Sequence, residues 1–294
     1  MSPTTELRQE TRTEVTDLIG ALIRSIPEIK TALAAEGGTS GKMNPSGDTQ
    51  RIADEKIDKI IFDCVQSLDG IGQYLSEERE GIIDLGSGLS VATDPLDGSS
   101  NIKTNTTVGT IIGVYDAELP ARGRELVASL CLVLGPVTAL GVAANDELID
   151  YTIQDGAIVG SRTVTLPESG GIYSFSGRPT EWSVALRAYE EALGKRYDHR
   201  YTGAMIADVW LLLARGGLVG YPKRSTKPDG VLRLQYESNP VAYAVECAGG
   251  VGSTGSQPIL DVEPEGIHQR VPTFFGTKSR IEKLKTRLAI DSKA

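Results

Sequence analysis

The chain has 294 residues, 40% hydrophobic and 23% charged, enough to bury a substantial core in one large α/β unit or in two lobes meeting at a cleft. Its 30 basic and 39 acidic residues leave a net charge of −9, which argues against a nucleic-acid groove or an anionic membrane surface as partner. No apolar run approaches the roughly 20 residues of a membrane span, and Met1–Glu6 lacks the basic-then-apolar layout of a secretion signal, so a cytoplasmic protein is expected.

Cys64, Cys131 and Cys247 are odd in number, far apart and set among apolar neighbours, as reduced core thiols are. With only His199 and His268 present, Ser-His-Asp catalysis and a histidine-rich zinc site have almost nothing to work with. Magnesium or manganese held by carboxylates suits this composition better.

From Thr11 to Ala35, Val15, Leu18, Ile19, Leu22, Ile23 and Ile26 recur at three and four residues, which predicts an amphipathic helix ending near Pro27. Gly37 to Gly47 reads as a mobile Gly/Ser/Thr/Asn-rich loop. Asp48 then opens a helix with Ile52, Ile57, Ile60, Ile61, Cys64 and Val65 on its apolar face. On local grounds Asp48 serves equally well as an N-cap, and Asp54 as a solvated helix residue.

Leu75-Ser76-Glu77-Glu78 leads through a glycine-rich loop to the apolar approach Leu89-Ser90-Val91-Ala92 and then to Asp94-Pro95-Leu96-Asp97-Gly98-Ser99-Ser100-Asn101. This reads as a strand that delivers two carboxylates to its end and opens onto a turn or helix. Asp94 and Asp97 can aim hard oxygen donors at one divalent cation, and the N–H groups of Gly98, Ser99 and Ser100 suit phosphate oxygens. A plain surface turn has the same composition. The order of the residues and the upstream Glu77-Glu78 favour a metal-assisted phosphoryl-transfer site.

Further strands are predicted at Val108–Tyr115, Leu126–Leu134, Thr138–Ala143, Tyr151–Ile153 and Arg162–Leu166, which suggests a mixed sheet. A second lobe begins near Ser169-Gly170-Gly171, with a strand at Ile172–Phe175 and helices at Glu181–Leu193 and Ile206–Ala214. Leu218–Tyr221 is predicted as strand, and so is Val231–Glu237, whose alternation would put Arg233 and Glu237 on one face. A helix starting at Ser238-Asn239-Pro240, a last strand and a helix from Lys278 complete the chain. The expected domains are therefore a metal-binding lobe over residues 1–168 and a substrate-binding lobe over 169–294.

Asp-Pro-Leu-Asp-Gly-Ser-Ser-Asn after Ser-Glu-Glu resembles the lithium-sensitive, metal-dependent sugar phosphatases, and among them the class I fructose-1,6-bisphosphatases. The resemblance extends from about Asp48 through Arg200–Val209, Gly216–Pro222, Leu232–Pro240, Ala248-Gly249-Gly250 and Val262–Pro272. It implies an α/β fold of two mixed-sheet lobes in alternating α-β-α-β-α layers. It also implies a role in gluconeogenesis, releasing the 1-phosphate of fructose 1,6-bisphosphate with two to three Mg2+, or Mn2+, per site.

Carried over by position, the resemblance implies Glu77, Asp94, Asp97, Glu237 and the Leu96 carbonyl as metal ligands. Asp48, Asp54 and Glu78 would hold or deprotonate the attacking water. The substrate would be bound by Asp97, Gly98, Ser99, Ser100, Asn101, Ser176, Arg178, Arg200, Tyr201, Met205, Tyr221 and Arg233. In the family the arginine matching Arg200 crosses from a neighbouring subunit, which implies a homodimer or homotetramer.

Some positions depart from the family pattern. Ser176 replaces an asparagine and Val231 a lysine at the far phosphate, and Lys103 replaces an aspartate; Arg178, Lys223, Arg224 and Lys227 are the cations available to compensate. Gly88-Leu89 replaces a Lys-Tyr pair, so AMP regulation of the familiar type is not expected. Sedoheptulose-1,7-bisphosphatase, a broader sugar or inositol phosphatase and a non-catalytic phosphosugar-binding protein remain as alternatives.

Overall fold

The computed structural model describes residues 11–35, 39–43 and 49–291. Asp48 lies outside them, as does Asn44 of the glycine-rich loop. Helix α1 (Thr13–Ala35) is followed by the antiparallel pair β1 (Thr39–Met43) and β2 (Thr49–Arg51), then by α2 (Ile52–Gln66). Part of the expected loop is thus paired strand.

The expected end of α1 near Pro27 is corrected, for the helix runs on to Ala35. Ile29 and Ala32 beyond the proline are buried, and the Thr31 hydroxyl donates to the Pro27 carbonyl at 2.9 Å. Burying this apolar face outweighs the one helical hydrogen bond that proline removes.

The eight strands that follow are β3 (Ile71–Ser76), β4 (Ile83–Asp84), β5 (Leu89–Asp97), β6 (Val108–Tyr115), β7 (Leu126–Leu134), β8 (Thr138–Ala144), β9 (Glu147–Gln154) and β10 (Ala157–Thr163). They form one sheet in the order β10-β9-β8-β7-β6-β5-β3-β4, antiparallel except that β3 and β5 run parallel. The strand expected at Arg162–Leu166 is mainly Ala157–Thr163, because Asp155 and Gly156 both take positive φ and form a tight hairpin immediately after β9.

The sheet alternates between two cores. Ile112, Val114, Leu130 and Leu132 face Leu18, Leu22, Ile57 and Ile61 of α1 and α2. Ile111, Tyr115, Cys131 and Val133 point the other way, into the second half of the chain.

That second half contains β11 (Ile172–Phe175), α3 (Val184–Gly194), β12 (Asp198–His199), α4 (Met205–Arg215), β13 (Gly217–Tyr221), β14 (Leu232–Arg233), α5 (Asn239–Cys247), β15 (Val251–Ser253), β16 (Arg270–Val271), β17 (Thr273–Gly276) and α6 (Lys278–Asp291). A five-stranded sheet has the order β12-β11-β13-β17-β15, and β14 pairs with β16.

Ile206, Val209 and Leu212 of α4 and Val241 and Val245 of α5 share a core with one face of each large sheet. Leu186, Leu193, Ile281 and Leu284 of α3 and α6 cover the opposite face of the smaller sheet. The layers are therefore α-β-α-β-α, and each fully buried Leu or Ile contributes roughly 1.5–3 kcal/mol to holding them together.

Two further expectations are corrected. The helix predicted from Glu181 begins at Val184, where the Ser183 hydroxyl caps it by accepting the Leu186 N–H at 3.2 Å. The strand predicted at Val231–Glu237 is only Leu232–Arg233, and Leu234–Ser238 coil into a π-helical turn. Gln235 fixes that turn, its side chain bonding Ala121 N–H at 3.0 Å and Ala121 O at 2.9 Å while its carbonyl accepts the Tyr115 hydroxyl at 2.6 Å.

Candidate active site

A regular strand would point residues three apart to opposite faces. In β5, however, Asp94 stands opposite Ile111 and Asp97 opposite Gly109, two residues apart on β6. One extra residue is therefore bulged out at Pro95-Leu96, and both aspartates reach the same side. The Thr110 hydroxyl holds the bulge by donating to Pro95 O at 2.8 Å, and the Leu96 N–H donates to Asp94 Oδ1 at 3.0 Å.

Strand β3 delivers the next acid. Its register pairs Ser76 with Thr93, and the Glu77 N–H donates to Thr93 O at 3.1 Å, so Glu77 continues alongside Asp94. Both parallel strands thus release carboxylates at their C-terminal ends, where open α/β sheets bind ligands. Glu237 arrives from the π-helical turn, its Oε2 accepting the Arg233 N–H at 2.7 Å.

Carboxylate oxygens of Asp94, Asp97 and Glu237 lie within 4.8 Å of one another, and all three residues are buried. Burial, then the charges of Glu77, Asp97 and Glu237, pushes the Asp94 carboxyl well above its ordinary range. Asp97 is pushed up to about 7, mainly by burial, although amide hydrogens from Ile206 at 2.7 Å and Met205 at 3.3 Å pull the other way. Glu237 is pushed up to about 8 by burial, with Arg233 opposing. Three hard, buried donors that resist ionising together fit a divalent cation, whose charge would reverse that resistance.

Arg233 is buried among these acids, 2.8 Å from Glu77 Oε1 and 3.6 Å from Glu237 Oε2. It therefore braces the metal-ligand candidates. Asp54 is buried in the first turn of α2 rather than solvated, and Glu78 is half-buried with its N–H on the Ser76 hydroxyl at 3.2 Å.

The candidate anion cradle follows the bulge. Gly98 has φ 76°, and a Cβ there would lie 2.3 Å from that of Ala204, so only glycine lets this turn meet the start of α4. Ser99 and Ser100 begin a 3-10 turn whose first N–H groups have no acceptor within the turn. Asn101 is buried and its side-chain amide donates to Thr107 O and Thr202 O, each at 3.1 Å, which ties the cradle to the second half of the chain.

Of the residues expected at the far phosphate, Tyr201 is 46% exposed, and Tyr221 and Ser176 are buried. The Tyr221 hydroxyl donates to Asp208 Oδ2 at 2.7 Å. Met205 contributes its N–H to Asp97 as noted. Arg178 and Lys103 are exposed, and Arg200, also exposed, has Asp198 at 3.8 Å.

Sequence reasoning missed several supporting residues. Asp208 is fully buried and also accepts the Thr202 N–H at 2.9 Å and the Thr202 hydroxyl at 3.0 Å, fixing the turn that carries Tyr201. An acid within the apolar run Met205-Ile206-Ala207-Asp208-Val209 was the available signal. Asp58 accepts Arg79 Nε at 2.8 Å and the Tyr74 hydroxyl at 3.0 Å, anchoring the segment that carries Glu77 and Glu78.

Buried carboxylates suited to a divalent cation, beside a turn with free N–H groups and between two sheets in alternating layers, fit a metal-assisted phosphatase. The family profile for the fructose-1-6-bisphosphatase N-terminal domain matches residues 4–158, and that for the C-terminal domain matches 166–289. The chain belongs to the fructose-1,6-bisphosphatase family.

It is 41% identical to the class 1 fructose-1,6-bisphosphatase of Halobacterium salinarum, covering 92% of this chain and 98% of the relative. Against the class 1 protein of Natronomonas pharaonis the identity is 39%, over 93% and 98%. Against fructose-1,6-bisphosphatase isozyme 2 of Bos taurus it is 34%, over 93% and 89%. The solved structure of Leishmania major fructose-1,6-bisphosphatase in holo form superposes with a TM-score of 0.89 at 27% identity, covering 95% of each chain.

Proposed function

We propose that this chain is a fructose-1,6-bisphosphatase that hydrolyses the 1-phosphate of D-fructose 1,6-bisphosphate to fructose 6-phosphate and phosphate. The observation that carries this reading is the cluster of Asp94, Asp97 and Glu237, with Asp94 and Asp97 at the end of β5 directly before the Gly98–Ser100 turn and Glu237 brought in by the π-helical turn. Family membership supports the substrate, since the relatives named above carry that activity in their names.

In this reading Asp94, Asp97, Glu237, Glu77 and the Leu96 carbonyl would hold two or three Mg2+, which would supply Lewis-acid stabilisation of charge on the transferring phosphoryl group. The N–H groups of Gly98, Ser99 and Ser100 orient that phosphoryl group. Asp54 and Glu78, with Asp48, position the attacking water and accept its proton. Arg233 pairs with both Glu77 and Glu237 and holds them together at the cluster.

Residues 1–168 form the metal-binding lobe and 169–294 the substrate-binding lobe, with Glu237 reaching back to complete the cluster; the break between the two family matches supports this division. The working form is a homodimer or homotetramer, in keeping with the exposure of Arg200. No helix among the described residues is long and apolar enough to cross a membrane, and the three free cysteines agree with a reducing cytoplasm.

A substrate panel tests the proposal. With Mg2+ present, fructose 1,6-bisphosphate should be preferred in kcat/KM over fructose 1-phosphate, fructose 6-phosphate and inositol 1-phosphate. A preference for the inositol ester, or no phosphate release from any sugar bisphosphate, would overturn it.

A further inference from the structure

The loop between β13 and β14 is held by reciprocal backbone bonds, Arg224 N–H to Lys227 O and Lys227 N–H to Arg224 O, both 3.0 Å. The Ser225 N–H also donates to Glu181 O at 3.0 Å. This frame aims the half-buried Arg224 side chain at the turn after β11. There Nη2 donates to the buried Ser176 Oγ at 2.9 Å.

The turn is shaped around that guanidinium. Gly177 has φ 94°, and a Cβ on it would sit 2.4 Å from Arg224 Nε. Nε itself is buried and meets no acceptor, and among the described residues Arg224 forms no ion pair with a carboxylate. Ser176 is held in turn by its N–H on Gly220 O at 2.9 Å and its carbonyl on Trp182 Nε1 at 3.1 Å. A cation half-removed from water, hydrogen-bonded only to a hydroxyl, is costly unless an anion joins it.

Position also matters. Ser176, which Arg224 holds, is bonded to Gly220 beside Tyr221; the Tyr221 hydroxyl donates to Asp208 on α4 at 2.7 Å, and the Ile206 N–H in the first turn of that helix donates to Asp97 at 2.7 Å. Val231 offers no cation, and its carbonyl is taken by the Arg270 guanidinium.

We propose that Arg224 binds the substrate phosphate remote from the bond that breaks, and does so from within a single subunit. Its remaining Nη hydrogens present the planar donor edge that suits a phosphate dianion. The role rests on the bisphosphatase reading above and adds a specificity-determining residue to it; among the four cations available to compensate for Val231 and Ser176, this one is hydrogen-bonded to Ser176 itself.

The test compares the full chain with Arg224→Gln and Arg224→Lys, using fructose 1,6-bisphosphate and fructose 1-phosphate as substrates in Mg2+. Loss of one charge-assisted bond should raise KM for the bisphosphate about tenfold to a hundredfold in Arg224→Gln, with kcat little changed. The bisphosphate-to-monophosphate ratio of kcat/KM should fall by a similar factor, and Arg224→Lys should recover part of it. Calorimetric binding of fructose 6-phosphate should weaken in parallel.

An active parent with unchanged KM in Arg224→Gln, or a fall in kcat alike for both substrates, would overturn the role of Arg224. A parent inert toward the bisphosphate would instead reject the bisphosphatase reading, and fructose 6-phosphate binding would then decide whether Arg224 holds a phosphate.

Discussion

The Asp97 carboxylate accepts the amide hydrogen of Ile206 at 2.7 Å, which ties the bulged strand β5 to the first turn of α4. The same carboxylate lies within 4.8 Å of ligand atoms on Asp94 and Glu237. One side chain thus joins a structural anchor to the candidate metal centre.

Asp97→Asn should separate these roles. The amide keeps an oxygen for one of the two α4 N–H groups but loses the charge, so circular dichroism and oligomeric size should persist while turnover falls by about 10³ or more. Near-normal activity would remove Asp97 from the chemistry.

Stability should depend on pH in an unusual direction. Asp97 at about 7 and Glu237 at about 8 are raised in the folded state above the ordinary carboxylate value of about 4. Between those limits the folded chain binds more protons than the unfolded one, so their stabilising effect is complete below about pH 4 and is lost as pH rises through 7 to 8. In chelator, the denaturation midpoint should therefore fall between pH 5 and pH 8. Saturating Mg2+ should flatten or reverse the slope, because a bound cation favours the ionised carboxylates. A pH-independent midpoint in chelator would contradict the burial argument.

Arg79 is the support most open to a stability test. It pairs with buried Asp58 at 2.8 Å and lies 4.2 Å from the centre of the Phe62 ring. Arg79→Gln should cost about 1–3 kcal/mol and lower kcat, since Glu77 and Glu78 directly precede it. Adding Asp58→Asn should restore part of the stability, as removing the stranded charge removes its desolvation cost. Additive losses measured by denaturant unfolding of the single and double variants would show that the pair is not coupled.

Much of this architecture was legible in order along the chain. The strands Val108–Tyr115 and Leu126–Leu134 have the bounds their apolar runs indicate, because both faces of each are buried and only turns interrupt them. The chemistry at Asp94 and Asp97 was visible as residue type and order. The bulge that aligns them was not, since it depends on the register against β6 and on Thr110, which lies beyond a turn.

Arg233 and Glu237 illustrate the same limit. Alternation suggested one strand face, whereas the π-helical turn brings them together through bonds from Gln235 to Ala121, 114 residues away in sequence. Local periodicity carries no trace of such a partner. Pro27 failed for a related reason: the long apolar face that carries α1 past it is satisfied by the sheet, not by the helix itself.

The most direct measurement follows both phosphorus signals of fructose 1,6-bisphosphate by phosphorus-31 NMR during turnover, with Mg2+ and again with excess chelator. In Mg2+ the 1-phosphate signal should disappear, inorganic phosphate should grow and the 6-phosphate signal should persist, with no reaction in chelator. Loss of the 6-phosphate first, or undiminished hydrolysis in chelator, would contradict the proposed function.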